Sequence, residues 1–407
     1  MKHIKQHHLM LVIFLLALII RLIFVIPSKN IPSSDAASYD SLGLSLSKGD
    51  GYVNADGSPN SFRPPFYPAF LAIIYKFFGH SYPAVRVIQS IIGAIACVLI
   101  FLIAGRIGGS SMGFLSSFLF AAYPPFIKSA ELLLTELFFT FILLLIIFYL
   151  FKIQEHIRNK DCIILGILLG IGLLTRSMMI LFPFFIIPVF IYSKKGPLLN
   201  IFKKYMIVLL FLGLTVLPWI IRNYAVYHKF VPVSTQGGIT FYSSYRPPNG
   251  IFGMLATEDD PVVVEAIKIS SPVSSSDFLV KKTWNFIVNN PRKVLFLEFE
   301  KIIYLWAPFD WEIIGGRWFN FIYAAMLPFF AVGFFLSLRR FKRFYLILLP
   351  IIYLQITSLI FYGSPRFRMP IEPYLFILSM VGINGIWNYI LKKRRKDYEN
   401  ISSDTCF

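Results

Sequence analysis

The chain has 407 residues, 57% of them hydrophobic and 15% charged, whereas an ordinary soluble domain is about 25% charged and 45–50% apolar. So much apolar surface cannot hide inside one water-soluble core, and 43 Phe, 21 Tyr and 6 Trp exclude a disordered or fibrous chain. The surplus must face lipid, so the sequence describes an all-α polytopic membrane protein. The formal charge of +18 would by itself suit nucleic acid, but the basic residues sit between apolar runs. Membrane topology is therefore their first explanation, and no nucleic-acid partner is expected. Cys97, Cys162 and Cys406 are too few and too scattered for a disulfide or zinc framework. The apolar run after Met1–His8 lacks a small-residue cleavage site and reads as a retained span.

A spanning helix needs about 17–25 mostly apolar residues. In chain order the candidates are 9–26, 83–104, 112–126, 131–151, 162–175, 177–193, 205–221, 317–337, 344–361 and 369–391, about ten in all. The fifth is short, but Gly166, Gly170 and Gly172 permit close helix contact. The Lys and Arg distribution orients the chain: the inner segments are short and basic, ending in the Lys392–Lys396 anchor. Of the 21 acids, only Glu155, Asp161, Asp397, Glu399 and Asp404 fall inside. An even number of spans leaves both termini in the cytoplasm of a multi-pass plasma (inner) membrane protein. Residues 1–407 form one membrane-embedded domain, with its non-spanning mass in the outer segments 27–82 and 222–316. Recognition and chemistry are expected there.

The first outer segment opens with Ser33–Ser34–Asp35, a helix N-cap signature, and predicts a short helix along the membrane. After Arg63–Pro64–Pro65, the aromatic run Phe66–Phe78 is too short to span and predicts a second interfacial helix. Asp35 has two readings: a cap or solvated acid, or a carboxylate held just above the bilayer as a general base.

The segment pairs an acid with a Tyr four residues on (Tyr39), then Gly51–Tyr52, then Arg-Pro-Pro-x-Tyr-Pro at 63–68. Further along come Leu134–Thr135–Glu136, Leu174–Thr175–Arg176, Pro218–Trp219–x–x–Arg222–Asn223, Val231–Pro232–Val233–Ser234–Thr235, Gly237–Gly238 and Pro365–Arg366–Phe367–Arg368–Met369–Pro370. In this order the set resembles the GT-C membrane glycosyltransferases, in the bacterial branch similar to protein O-mannosyltransferases and the lipid A aminoarabinose transferase. The resemblance implies a many-helix fold whose site lies between the first loop and the later outer turns. It also implies a sugar donor on polyprenyl phosphate and transfer with inversion to an acceptor glycan, lipid or protein. The chain departs from the pattern in places. Ala36 follows Asp35 where protein O-mannosyltransferases carry Asp-Glu, and Arg63 stands where the aminoarabinose transferase has Lys. There is no Trp-Trp-Asp-Tyr-Gly element, which argues against an oligosaccharyltransferase subunit. Which sugar and which acceptor stay open.

The candidate catalytic residues are Asp35, Arg63 and Glu136. Lys128 and Glu131 have the spacing of a helical pair, but Glu136 has no basic partner at helical spacing. It either faces the site as a second carboxylate and candidate ligand of a divalent metal ion, or is structural. Arg176, Arg222, Arg366 and Arg368 lie on the outer side, against the positive-inside tendency. They either snorkel to headgroups or grip a donor phosphate with guanidinium forks; Asp40 and Tyr39 join them as substrate-binding candidates. Glu372 has the spacing to orient Arg368, and His80 and His228 read as structural. The rival function is a transporter or lipid-linked-sugar flippase, which would show repeats and midspan charges or broken helices. No repeat is seen, and the polar residues cluster at the outer ends of spans.

Overall fold

The computed structural model describes residues 2–192, 197–245, 256, 259–310, 318–361 and 363–404. Lys194, Lys195, Glu258 and Cys406 lie outside the described residues. The helices in order are α1 (Lys2–Val25), α2 (Ser34–Lys48), α3 (Phe66–Phe78), α4 (Tyr82–Ala122), α5 (Pro124–Glu131), α6 (Thr135–Glu155) and α7 (Asn159–Thr175). A 3-10 turn Ser177–Leu181 precedes α8 (Phe182–Phe185), α9 (Ile187–Tyr192), α10 (Leu198–Tyr227) and α11 (Gln236–Tyr245). Then come α12 (Pro261–Ile267), α13 (Pro272–Asn289), α14 (Pro291–Trp306), α15 (Phe321–Arg339), α16 (Phe341–Ile360), α17 (Pro365–Arg368) and α18 (Glu372–Asp404). A two-residue antiparallel pair joins Phe309–Asp310 to Trp318–Phe319.

Both interfacial helices fall where the sequence puts them, as α2 and α3. Among the described residues seven helices are long and apolar enough to cross a membrane, against ten expected stretches, and the difference has local causes. The 41 residues of α4 are two of those stretches in one. The helix breaks at Gly108–Gly109, where Gly109 takes φ +80°, a region that costs glycine little. The chain then doubles back: a Cβ on Gly113 would lie 2.6 Å from the carbonyl oxygen of Phe101. Helix α7 has only 17 residues. The stretch 177–193 is not one helix, because Pro183 and Pro188 each remove a helical hydrogen bond and leave a 3-10 turn and two short helices.

Lipid and core faces separate by helical period. In α1, Ile13, Ala17 and Arg21 are fully buried, whereas Leu11, Leu15, Ile19 and Ile23 are exposed. A four-residue step keeps each set on one side of the helix, so the second set is the lipid face. Helix pairs approach closely where they present glycine. A Cβ on Gly166 would fall 2.5 Å from the Val208 carbonyl oxygen, which fixes α7 against α10 as the glycine-rich sequence predicts. Gly333 and Gly382 do the same for α15 and α18. Mid-span Arg21, whose two readings in sequence are snorkelling or pairing with a carbonyl, takes the second: it is fully buried, donates to the Ala17 carbonyl at 3.0 Å and lies over the Phe120 ring. This packing brings the start of α6, the end of α7 and the α17 turn together under α2 and the loop before α3.

Candidate active site

Asp35 lies in the first turn of α2, directly after Ser34, a non-glycine residue at φ +49°. Its carboxylate does not cap its own helix. Oδ1 accepts from Arg63 Nη2 at 2.5 Å and Oδ2 from Arg366 Nη1 at 2.9 Å. Burial pushes the Asp35 carboxyl up, but the two guanidinium charges outweigh it and hold it below the ordinary carboxylate range. The group is therefore ionised at any physiological pH.

Arg63 is held by its own loop. Asn60 Oδ1 accepts from the backbone N–H groups of Phe62 and Arg63, and the Tyr52 hydroxyl donates to the Arg63 carbonyl at 2.9 Å. The Gly-Tyr and Arg-Pro-Pro elements thus form one structure. The Arg63 guanidinium lies over the Tyr39 ring at 5.0 Å, a cation–π contact.

Glu136 sits in the first turn of α6 with its side chain 1% exposed. Its Oε1 accepts from Arg176 Nη2 at 2.7 Å and Arg366 Nε at 2.6 Å. Arg176, the residue closing α7, also donates from Nε to Thr135 Oγ1 at 3.0 Å. An alternating row results: Arg63, Asp35, Arg366, Glu136, Arg176. Three guanidinium groups face two carboxylates, leaving one surplus positive charge. Arg176 Nη1 is buried with no hydrogen-bond partner among the described residues, a costly state for a charged donor.

Asp35, Tyr39, Arg63, Arg176 and Arg366 line one cleft of about 920 Å³, part of it open solvent. Its apolar side includes Leu305, Leu354 and Phe361. The structure therefore brings together five of the expected residues, with Glu136 directly behind them. Three others are engaged elsewhere. Asp40 accepts from the hydroxyls of Tyr75 (2.5 Å) and Tyr82 (2.9 Å) and faces His80 Nε2 at 2.8 Å. Arg222 stacks on Trp219 and donates to the carbonyls of Asn60 and Tyr52. Arg368 is fully buried, lies over Tyr323, bonds Glu372 at 3.0 Å and donates to the Leu305 and Ala307 carbonyls. None of the three lines the cleft among the described residues. Lys128 and Glu131 pair at 2.8 Å, as their spacing predicts, and His228 closes α10 at φ +52°.

A divalent ion at Glu136 does not fit these surroundings. The carboxylate is already shared by two guanidinium groups, and no cluster of three or more His, Cys, Asp or Glu is placed to hold a metal among the described residues. Sequence reasoning did not find Ser177, Thr240, Thr357 and Ser358, which supply cleft hydroxyls. Gln355, Thr357 and Ser358 interrupt the apolar run of α16, and for the last two that interruption is the available signal.

In this largely helical bundle the carboxylate and guanidinium groups converge at one end, where α6, α7 and α17 meet α2. Residues 62–221 match the family described as dolichyl-phosphate-mannose-protein mannosyltransferase. No curated protein matches the chain. Among solved structures it is similar to the oligosaccharyltransferase AglB from Archaeoglobus fulgidus in complex with an inhibitory peptide and a dolichol-phosphate. The identity is 13% and the TM-score 0.61, covering 98% of this chain and 52% of that one. The apo form of the Archaeoglobus fulgidus oligosaccharyltransferase gives 13%, 0.58, 95% and 52%. ArnT from Cupriavidus metallidurans bound to undecaprenyl phosphate gives 13%, 0.43, 93% and 77%. The chain thus spans about half the length of the oligosaccharyltransferases it resembles.

Proposed function

We propose that this protein transfers a sugar from a polyprenyl-phosphate donor to an acceptor hydroxyl at the outer face of the membrane, with inversion. The observation that carries the reading is the cleft itself: one ionised carboxylate among three guanidinium groups, one of which has a buried N–H without a partner among the described residues. The dolichol-phosphate in complex with the archaeal oligosaccharyltransferase agrees with a lipid phosphate as leaving group.

In the proposed step the acceptor oxygen attacks the anomeric carbon as its proton passes to an Asp35 carboxylate oxygen. A new C–O bond forms on the face opposite the phosphate. The old C–O bond breaks with its electron pair going to the phosphate oxygen. Arg176 and Arg366 stabilise that charge, which develops in a partly dry site where fixed donors count most. A carboxylate held by two arginines is a weak base. The incoming phosphate competes for Arg366 and so loosens its grip on Asp35, restoring basicity when substrate is present.

The test is purified protein with radiolabelled polyprenyl-phosphate sugar and a membrane extract as acceptor source. Label moving onto an acceptor supports the transferase. Transbilayer movement of intact donor without transfer would instead make the protein a flippase. The outer-face assignment has its own test. A reporter active only outside the cytoplasm should work when fused after Tyr227 and stay silent when fused after Arg158. The reverse pattern would put the cleft in the cytoplasm.

A further inference from the structure

Beside the first cleft lies a second, of about 500 Å³ including open space, between the loop 54–62 and helices α11 and α13. Its chemistry is different. Its described lining holds no charged residue, only amides and hydroxyls such as Asn54, Asn60, Thr235 and Ser276, with Phe62 and Ile239 as apolar surface.

The walls are rigidly built. Thr235 N–H donates to the Ser61 carbonyl at 2.8 Å, and the two side-chain hydroxyls are 3.2 Å apart. Asn60 Nδ2 donates to Asn54 Oδ1 at 2.6 Å. Arg222 donates to the carbonyls of Asn60 and Tyr52, and the Tyr227 hydroxyl to that of Pro59. Arg222 thus clamps this loop. On the opposite wall, a Cβ on Gly238 would sit 2.4 Å from Ser276 Oγ, so α11 rests hard on α13.

The two clefts share their partition. Consecutive residues Phe62 and Arg63 line the second and the first, with the Arg63 guanidinium 5.1 Å from the Phe62 ring centroid. Thr235 likewise lines the second, while its neighbours Ser234 and Gln236 line the first.

Resting on the glycosyl-transfer reading above, we propose that the second cleft seats the acceptor and that this acceptor is an uncharged carbohydrate. A sugar ring presents C–H faces to an aromatic ring and hydroxyls that both donate and accept, matching amide and hydroxyl walls. An anionic lipid headgroup or a basic peptide would find no counter-charge and would leave its own charge poorly solvated. A ligand seated there abuts the first cleft at Arg63, beside the Asp35 carboxylate.

The test is saturation-transfer NMR on the full chain in detergent. The probes are three neutral trisaccharides (mannotriose, cellotriose, chitotriose), trigalacturonate, and an uncharged Ser/Thr peptide. Undecaprenyl phosphate binding is measured in parallel. At least one neutral trisaccharide should receive saturation and trigalacturonate should not. The signal should fall about 2–10-fold in Phe62→Leu and in Asn54→Leu, the scale of one lost neutral hydrogen bond or contact, with undecaprenyl phosphate binding unchanged. The proposal is overturned by silence from all three sugars, by equal transfer to trigalacturonate, or by full retention in both variants. Variant-sensitive transfer to the peptide alone would make this a peptide site and also overturn it. Wild-type protein that binds undecaprenyl phosphate while any of these occurs leaves the transferase reading standing. Protein that binds none of it removes that reading instead.

Discussion

Asp35→Asn should fold and still bind a polyprenyl phosphate, yet lose about 10²–10⁴ in transfer rate, the contribution of a positioned general base. Asparagine keeps the size and one acceptor oxygen but cannot take the acceptor's proton. The cost in stability comes from the arginines. Of the two ion-paired contacts to Arg63 and Arg366, one is replaced by an amide NH₂ facing a guanidinium, which removes about 1.5–3 kcal/mol. No cap is lost, because the carboxylate makes no bond to its own helix end. The pH profile gives a second readout. With its acid form disfavoured by both arginines, Asp35 stays ionised as pH falls below the ordinary carboxylate value. The acid limb of kcat/KM, which reports the free enzyme, should then lie below pH ~4. A limb near pH ~6, or near-full activity in Asp35→Asn, would place the base elsewhere. Asp40 would be a poor substitute, since Tyr75, Tyr82 and His80 already occupy it.

Asp35 is more legible in the sequence than the rest of the row. Asp35 follows an apolar run and a serine pair, so its place just above a span is legible. Local pairs were legible for the same reason: Lys128 with Glu131 and Arg368 with Glu372 sit three and four residues apart on one helix face. Glu136 is different. Its partners are 40 and 230 residues away, and nothing in a helical period points to them. The same limit explains the outer arginines. Helical spacing does not tell apart the outer guanidinium groups, Arg63 in the first loop and four at later outer turns, but the fold places them differently. Arg63, Arg176 and Arg366 converge on carboxylates, Arg222 ties a loop to α10, and Arg368 anchors the turn that carries Arg366 to the backbone at the end of α14. Hydropathy located the helices well because lipid imposes one rule on every exposed side chain. It missed the breaks in 177–193, where two prolines matter more than apolarity.

Glu136→Ala should be among the most destabilising single changes in the protein, at about 3–5 kcal/mol, because it strips the shared anion from two guanidinium groups. Arg176 and Arg366 have side chains only 9% and 16% exposed, so water from the cleft replaces the lost carboxylate only in part. Arg366 keeps Asp35; Arg176 keeps only the neutral Thr135 hydroxyl among its side-chain bonds, so most of the penalty falls there. Removing both charges at once should therefore cost less than removing one. The double variant Glu136→Leu with Arg176→Met is expected within about 1–2 kcal/mol of wild type, since a buried ion pair exchanged for apolar groups of similar volume is often close to neutral. Unfolding free energies in mixed detergent micelles complete the double-mutant cycle. Additive losses would mean that Glu136 and Arg176 are not coupled as their 2.7 Å contact requires. Coupling with restored stability but no donor binding separates the two roles of Arg176. The carboxylate behind the cleft is then what makes a buried guanidinium tolerable, and the guanidinium is retained because a phosphate needs it.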